Sequence, residues 1–362
     1  MPDDRTFVTE LATALGMLGG DDITDLASSR PGALRLSDQD WQRLESLVGG
    51  SSWAGEAKAA FANGRAFLES PDALRSRPPI LVEWTGGRRP PGDEVAPIDL
   101  RVDHVFLVSC KYLSANIANP SPGRLFDGLL ATTGDWPRGD WYLETAPAEL
   151  RELYLQCTKA AGLDDLPDDP ALLEPAQRKV LRRALPARSF PDEVRPAYLE
   201  LCRVVSEASA KRWRDAMSRF AKPEQMLWRL LRIGSAPYYM LGADAHDWIR
   251  LRVASPWDWR QSFRLIDLQV TAACAGQPQV DWTATYENRS DRCRSEIRGH
   301  VEVRWSHGRF VHPPEAKIYL DTPTGELPGY FPLAPPQPVA PAVEMPAAQE
   351  RLFGDLPGDS IH

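Results

Sequence analysis

The chain has 362 residues, of which 43% are apolar and 25% are charged, the proportions of an ordinary globular protein. The sequence shows no apolar run of the roughly 18 residues that a membrane span needs, and its acidic N-terminus lacks a signal-peptide core. These features predict a cytoplasmic protein that does not span a membrane. The five cysteines are scattered without CxxC spacing, which argues against a zinc site and against a disulfide framework.

The charge of the chain is distributed unevenly. A net charge of −8 argues at first sight against a nucleic-acid partner, but residues 174–235 contain fourteen Lys and Arg against seven Asp and Glu. The rest of the chain therefore carries −15. A basic segment in an acidic protein is a candidate phosphate-binding surface, and the alternative is that these cations only keep long helices soluble.

Residues 1–75 are predicted to form a helical region. Leucines recur at helical spacing near the N-terminus, and Ser37 is placed to cap a second helix. A third helix, over residues 53–69, carries Glu56 on the border of its apolar stripe. A carboxylate in that position can point into a cleft beside a sheet, although a solvated glutamate gives the same pattern.

The functional prediction depends on a β-hairpin over residues 98–111. Its first strand begins with Asp99, and its second strand is a β-prone run that ends in Ser109-Cys110-Lys111. A two-residue turn would place Asp99 opposite Val108, on the face away from Lys111. A turn of three residues would place Asp99 opposite Ser109, on the same face as Lys111.

An acid and a lysine in this arrangement can form a metal-dependent phosphodiesterase site. Such a site needs a divalent cation to neutralise developing charge and to acidify a water molecule, and hard oxygen ligands favour Mg²⁺, with Mn²⁺ as a substitute. Asp99 is the predicted principal ligand, and the carbonyl of Cys110 is a second one. Lys111 would orient the attacking water or stabilise the charged phosphorane.

The hairpin resembles the catalytic hairpin of the PD-(D/E)XK superfamily, the restriction-endonuclease-like nucleases. In that family an Asp or Glu stands two residues before the lysine, where this chain has Ser109. Ser-X-Lys variants occur in some type II restriction enzymes, often with a downstream Asn-X-Ser-Pro segment, and this chain has Asn119-Pro120-Ser121-Pro122. The missing acid requires another carboxylate, for which Glu56 and Glu83 are the candidates.

The resemblance implies a fold and an activity. The fold is a restriction-endonuclease-like α/β core over residues 76–145 within an α+β chain, with a helical insertion and a C-terminal antiparallel β-rich domain. The activity is that of a Mg²⁺-dependent DNA endonuclease in restriction and defence, or in clamp-linked repair, associated with the nucleoid. A homodimer would allow such an enzyme to cut both strands of a duplex.

Two further groups of side chains are predicted to contact nucleic acid. Small polar residues follow the hairpin, where they suit contacts to phosphate or base edges, or else cap a helix that starts near Pro122. The long helix over residues 193–221, within a basic helical region at 146–236, carries cations along its second half. The predicted contacts are Ser114, Asn116, Asn119, Lys211, Arg212, Arg214, Arg219 and Lys222.

Residues 237–330 are predicted to form an antiparallel sheet of about five strands, because runs such as WIRLRVA and RGHVEVRW are separated by turn signals. One strand contains Glu315-Ala316-Lys317, an ExK tripeptide that is the main rival to the hairpin site. The tryptophans of this region belong to the core, or else stack on bases. They are Trp257, Trp259, Trp282 and Trp305.

Residues 331–362 form a tail whose first part, 331–348, holds six prolines and few charges, the composition of an extended linker. The sequence Gln-Glu-Arg-Leu-Phe follows at 349–353, and it resembles the peptide that binds the bacterial sliding clamp. By that resemblance Gln349 would make polar contacts, while Leu352 and Phe353 would fill an apolar pocket. The clamp is therefore a predicted partner beside DNA.

Two other functions fit the same residues. Ser109 is compatible with a nuclease-dead DNA-binding or adaptor protein of the same fold, and the tail alone is compatible with a scaffold that docks to a clamp. An active site requires a second carboxylate close to Asp99 and Lys111, which separates a nuclease from its dead counterpart. The choice between DNA and RNA stays open.

Overall fold

The computed structural model describes residues 3–86, 97–112, 116–131, 139–185, 189–220, 223–243, 248–306 and 308–335. These residues form eleven α-helices and two β-sheets, which confirms the expected mixed α+β class. The helices are α1 Asp4–Met17, α2 Ile23–Ser29, α3 Asp38–Val48, α4 Ala54–Glu69, α5 Pro122–Phe126, α6 Trp141–Thr145, α7 Pro147–Ala160, α8 Pro175–Ala184, α9 Arg195–Phe220, α10 Pro223–Leu230 and α11 Pro256–Ser262. The strands are β1 Leu34–Arg35, β2 Val82–Trp84, β3 Leu100–Val102, β4 Phe106–Tyr112, β5 Asn116–Ala118, β6 Tyr238–Ala243, β7 Trp248–Val253, β8 Phe263–Cys274, β9 Pro278–Asn288, β10 Arg294–Arg304, β11 Glu315–Leu320 and β12 Tyr330–Pro332. Within these ranges, the helices are all too short or too polar to cross a membrane.

The larger sheet has seven strands in the order β1-β2-β3-β4-β6-β7-β12. β1 pairs with β2 in parallel, and β2, β3 and β4 are antiparallel neighbours. β6 then pairs with β4 in parallel, and β7 and β12 continue the sheet in antiparallel fashion. A parallel pair needs a long crossover, which here contains β5 and helices α5 to α10. The hairpin of β3 and β4 consequently lies in the middle of the sheet.

Helices α1 and α4 cover one face of this sheet. They approach closely because two glycines meet between them: a Cβ on Gly16 would lie 2.2 Å from Phe61 O, and a Cβ on Gly64 would lie 2.1 Å from Thr13 O. Fully buried members of the core between these helices and the sheet are Phe7, Leu11, Leu15, Phe67, Val108 and Leu241. This packing fixes α1 against β4.

The opposite face of the larger sheet belongs to a second core, which the smaller sheet shares. Leu107 of β4 and Met240 of β6 pack into this core, and α9 packs against β8 and β9. The smaller sheet is antiparallel, with the order β5-β11-β10-β9-β8. The two sheets are therefore joined by one continuous apolar layer.

The prediction that the strands after residue 237 form a single antiparallel sheet is wrong. The run WIRLRVA is β7, which pairs with β6 in the larger sheet, and the smaller sheet takes β5 as an edge strand instead. The reason lies in the burial pattern. β6 is nearly all apolar and buried on both faces, as a central strand must be, whereas β9 and β10 alternate between buried and half-exposed residues.

The main helical predictions agree with the structure. The helix expected over residues 53–69 is α4, and the one expected over 193–221 is α9, each within two residues at either end. Ser37 caps α3 by accepting a hydrogen bond from Asp40 N. These helices were predictable because their apolar residues recur at a strict helical period.

Candidate functional site

The hairpin between β3 and β4 has a three-residue turn over residues 103–105. Val102 pairs with Phe106, and the register continues to Leu100. Two turn residues have positive φ, which closes the chain tightly. Of the two turns that the sequence allowed, the structure has the longer one, and Asp99 consequently reaches the end of β4 that carries Lys111.

The Asp99 carboxylate is held by β4. Its Oδ2 accepts a hydrogen bond from Cys110 N at 2.6 Å and a longer one from Ser109 Oγ at 3.4 Å. The Asp99 N–H donates to Val108 O at 2.9 Å, so the pairing becomes irregular where β3 begins. Ser109 is fully buried. Its hydroxyl therefore orients Asp99 from the position at which the family pattern has an acid.

A second carboxylate belongs to the same site, and α1 supplies it. Glu10 is 7% exposed, and Trp84 Nε1 donates a hydrogen bond to Glu10 Oε2 at 2.6 Å. Burial and the negative charge of Asp99 raise the pKa of Glu10 to about 8, while the positive charge of Lys111 acts in the opposite direction. Glu10 is therefore within electrostatic range of both Asp99 and Lys111.

Glu10 was not among the predicted supporting acids, although the sequence contains a signal for it. Glu10 is the only charged residue between positions 6 and 20, and α1 is buried from Phe7 to Met17. A lone charge in such a helix is desolvated, and desolvated acids concentrate at functional sites. The search for an acid on a half-polar helix pointed instead to Glu56.

The other two predicted acids occupy different places. Glu56 lies in the first turn of α4 and is half-buried. Glu83 pairs with Arg101 in the ladder between β2 and β3, and His104 Nδ1 lies 3.3 Å from its carboxylate. Glu83 therefore interacts with the turn of the hairpin, and its role as a ligand stays a prediction.

The Cys110 thiol is not suited to act as a nucleophile. Burial, together with the negative charges of Asp99 and Glu10, raises the pKa of this thiol well above its ordinary value. A neutral buried thiol is a poor nucleophile. The contribution of Cys110 to the site is thus its backbone, whose N–H holds Asp99.

Glu10 and Asp99 are the described carboxylates of this site that could hold a cation. In the part of the chain that the structure describes, no group of three or more His, Cys, Asp or Glu is arranged to hold a metal ion. Glu10 and Asp99 interact electrostatically, however. Mg²⁺ is often bound by one or two carboxylates, with water and substrate phosphates completing its shell, whereas structural zinc requires four protein ligands.

The polar segment after the hairpin is only partly described. Ser114 lies outside the described residues, and the backbone of Asn116 pairs with Tyr319 as part of β5. Asn119 is exposed. Ser121 caps α5 by accepting a hydrogen bond from Arg124 N at 3.4 Å, which agrees with the capping alternative for this segment.

Arg212 is engaged inside the protein rather than presented to a ligand. It forms ion pairs with Asp127 and Glu144, and its guanidinium lies 4.2 Å from the centre of the Trp141 ring. These contacts join α9 to α6 and to the end of α5. Arg212 therefore has a packing role, and its contact to nucleic acid stays a prediction.

The remaining predicted cations differ in their surroundings. Lys211 forms an ion pair with Asp215 at 3.3 Å, and Arg214 Nη1 donates to Val270 O at 2.9 Å. Arg219 is exposed in the last turn of α9, and Lys222 lies outside the described residues. Arg219 is thus the described cation of this group that best suits a phosphate contact.

A second helix presents basic side chains that were not singled out from the sequence. α8 has four cations and no acid in ten residues. Arg178 uses its guanidinium on backbone carbonyls, including Phe310 O, while the other three are exposed. The basic face of α8 consists of Lys179, Arg182 and Arg183.

The rival ExK tripeptide lies in β11 of the smaller sheet. Glu315 accepts a hydrogen bond from Ser306 Oγ, and Lys317 stands opposite Glu302 in the ladder between β10 and β11. The tripeptide and the Asp99 hairpin therefore belong to different sheets.

The last predicted contacts are the tryptophans and the tail. Trp259 and Trp282 are buried and Trp305 packs against the core, as the core interpretation expects, whereas Trp257 is 70% exposed. The residues proposed to dock to a clamp lie outside the described residues; they are Gln349, Leu352 and Phe353.

Comparisons of this chain with protein-family models, with curated proteins and with solved structures give no match, so its function is inferred from the site itself.

Proposed function

We propose that this protein is a metal-dependent endonuclease with a restriction-endonuclease-like core, which hydrolyses phosphodiester bonds in DNA. The observation that carries the proposal is the second carboxylate, since Glu10 interacts electrostatically with both Asp99 and Lys111. Burial and Asp99 raise the pKa of Glu10 to about 8, so the two carboxyls ionise together readily only when a cation compensates their charges.

The order of the elements supports the same proposal. α1 brings a helical acid to the sheet ahead of the core strands, as the restriction-endonuclease-like pattern often does. The β3–β4 hairpin then carries Asp99 and Lys111 in the middle of the sheet. The helical insertion between β4 and β6 leaves this arrangement intact, because β6 returns to pair with β4.

Each side chain has a distinct role in hydrolysis. Glu10 and Asp99 would hold Mg²⁺, which when bound neutralises charge on the phosphate and acidifies a water molecule. The Cys110 N–H and the Ser109 hydroxyl keep the Asp99 carboxylate in one orientation. The Lys111 ammonium would donate a hydrogen bond to the attacking water or to the phosphate oxygen that gains charge.

Binding of the phosphate backbone requires a local positive surface, since the whole chain is acidic. The basic face of α8 and Arg219 provide exposed cations for this purpose. Such contacts position a nucleic acid without reading its sequence.

Cleavage assays test the proposal. The wild type, Lys111→Ala and Glu10→Gln are incubated with supercoiled and linear DNA in Mg²⁺, in Mn²⁺ and in EDTA. We expect cleavage only with metal, and a loss on the order of 100-fold or more in either variant. Lys58→Ala is the matched control, because it removes a lysine from the exposed side of α4, and it should cleave like the wild type.

The other outcomes point elsewhere. Metal-dependent cleavage that survives in Lys111→Ala would contradict the assignment of the site, and Lys317→Ala would then be tested. Cleavage that survives in Glu10→Gln would remove Glu10 from the metal site.

The alternative function is a nuclease-dead DNA-binding or adaptor protein of the same fold that docks to a sliding clamp. The observation that favours it is the fully buried Ser109, which replaces an acid at the centre of the site. DNA binding without cleavage in any metal is the outcome expected of this alternative. Deleting residues 345–362 should then abolish clamp binding and leave DNA binding unchanged.

A further inference from the structure

A buried polar network lies beside the hairpin, between the larger sheet and its two covering helices, and Asn63 of α4 is at its centre. Asn63 is fully buried. Its Nδ2 donates to Gly242 O at 2.8 Å and to Tyr112 OH at 3.2 Å, and its Oδ1 accepts from Arg250 Nε at 2.8 Å. One side chain therefore uses both amide hydrogens and its carbonyl to join α4 to β4, β6 and β7.

The bond to Gly242 reaches the backbone beside Lys111. Gly242 pairs with Lys111 in the parallel ladder between β4 and β6. The strands approach so closely that a Cβ on Gly242 would lie 1.7 Å from Lys111 O. Because the interior is close-packed, a displacement of Gly242 is passed on to Lys111.

The bond to Tyr112 reaches α1. Tyr112 OH lies 2.9 Å from Thr13 Oγ1, and Thr13 Oγ1 donates to Thr9 O at 2.8 Å. Because that bond uses the only hydroxyl hydrogen of Thr13, Tyr112 OH donates to Thr13 and accepts from Asn63. Thr13 is three residues after Glu10, so the two share one side of α1.

We propose that Asn63 is a positioning residue, which holds Lys111 through Gly242 and holds the helix of Glu10 through Tyr112 and Thr13. The inference rests on the proposed hydrolysis at this site. It goes further by assigning a role to a buried side chain whose hydrogen bonds join Gly242 and Tyr112, which pack beside the site.

Two substitutions separate the hydrogen bonds from the volume of the side chain. Asn63→Ala removes all three bonds, whereas Asn63→Asp keeps the volume and the acceptor for Arg250 but cannot donate to Gly242 O. We expect both to lower kcat for DNA cleavage by on the order of 10- to 100-fold, with a smaller change in KM, because misplaced catalytic groups affect the transition state more than binding.

Ser209→Ala is the matched control. It removes another fully buried hydrogen bond, which Trp141 Nε1 donates to Ser209 Oγ at 2.9 Å in α9. We expect this variant to melt at a lower temperature while its kcat stays that of the wild type. All rates are measured well below the Tm of every variant.

The decisive readout combines Asn63→Ala with Lys111→Ala. If Asn63 acts through Lys111, adding Asn63→Ala lowers the residual rate of Lys111→Ala by much less than it lowers the wild-type rate. The same combination with Glu10→Gln tests the second arm. A merely structural role multiplies two independent losses in both backgrounds, and that result would overturn the inference. A folded Asn63→Ala protein with wild-type kcat would overturn it as well.

Amide hydrogen exchange decides the case in which Lys111→Ala cleaves too slowly to measure. Asn63→Ala should then accelerate exchange at Lys111 and Tyr112 under conditions in which Ser209→Ala does not. Unchanged exchange would overturn the inference. If the wild-type protein fails to cleave DNA with every metal tested, the proposed function is overturned, and this inference with it.

Discussion

At the scale of single residues, Glu10 determines how the metal-free site responds to pH. Its carboxyl is buried beside Asp99, and Trp84 donates a hydrogen bond to it. Two neighbouring carboxylates in a poorly solvated site do not readily ionise together. The metal-free protein therefore keeps a proton on Glu10 at neutral pH, and a divalent cation would have to displace that proton.

The pH dependence of stability follows from this shift. The pKa of Glu10 is raised from 4.5 to about 8 in the folded protein. Folding takes up a proton between these values, so the contribution of Glu10 to the free energy of unfolding is fully present below pH 4.5 and is lost as pH rises to about 8. Glu10→Gln cannot titrate. In EDTA, we expect the Tm of Glu10→Gln to rise relative to that of the wild type as pH increases from 5 to 8. Melting curves of both proteins that shift in parallel would contradict the assignment of this pKa.

How far the site could be predicted depends on whether each residue leaves a local pattern in the sequence. The hairpin that carries Asp99 and Lys111 was predictable because its pattern is local, and the roles of both residues stay predictions. Ser109 was visible as a departure from that pattern, but its bond to Asp99 was not. Glu10 reaches the hairpin only through the packing of α1 on the sheet, and such a long-range contact leaves no periodic pattern in one sequence.

At the scale of elements, the position of the hairpin is fixed by its turn. Asp103 Oδ1 accepts hydrogen bonds from Ile80 N at 2.9 Å and from Leu81 N at 2.8 Å, which joins the turn to the residues just before β2. The backbone of Asp103 has φ +50°, a conformation that Asp and Asn tolerate better than Ala. Asp103 thus stabilises both the turn and the neighbouring strand.

Substitution of Asp103 tests this element. Asp103→Ala removes the acceptor for two backbone N–H groups and places Ala at positive φ, so we expect the free energy of unfolding to fall by about 2 kcal/mol. Asp103→Asn keeps the Oδ1 acceptor and the tolerance of positive φ, and it should lose less than half as much. Urea unfolding of the two variants checks the prediction. Equal losses would mean that the charge of Asp103, rather than its hydrogen bonds, stabilises the turn.

The elements differ in how much the sequence reveals about them. α4 and α9 have a helical period over many residues, and their bounds could be predicted closely. β6 is a short apolar run, YYMLGA, and such a run carries no information about its partner. Its partner β4 is more than a hundred residues away in the chain. The assignment of β7 to the wrong sheet therefore reflects its pairing with β6, which depends on the whole fold.

At the scale of the whole molecule, β12 joins the two cores. Tyr330 is 5% exposed in the core that the two sheets share, and its hydroxyl donates to Leu231 O. Leu333 follows β12 and packs against the core beneath α1 and α4, while its N–H donates to Arg250 O at 2.8 Å. One short strand near the end of the described chain therefore contacts both apolar layers, which share the larger sheet.

This connection predicts that the two cores lose stability together. Tyr330→Ala removes a buried ring and its hydrogen bond, so we expect the free energy of unfolding to fall by about 4 kcal/mol. Phe331→Ala is the matched control on the same strand, because Phe331 is 39% exposed, and it should lose less than about 1 kcal/mol. Amide hydrogen exchange in α1 and in β9 reports the two cores separately. Tyr330→Ala should lower protection of the slowest amides in both elements by the same factor, since the larger sheet packs against both cores. Loss of protection in β9 with α1 unchanged would show that the cores unfold independently, and Glu10 and Asn63 would then keep their positions in the destabilised variant.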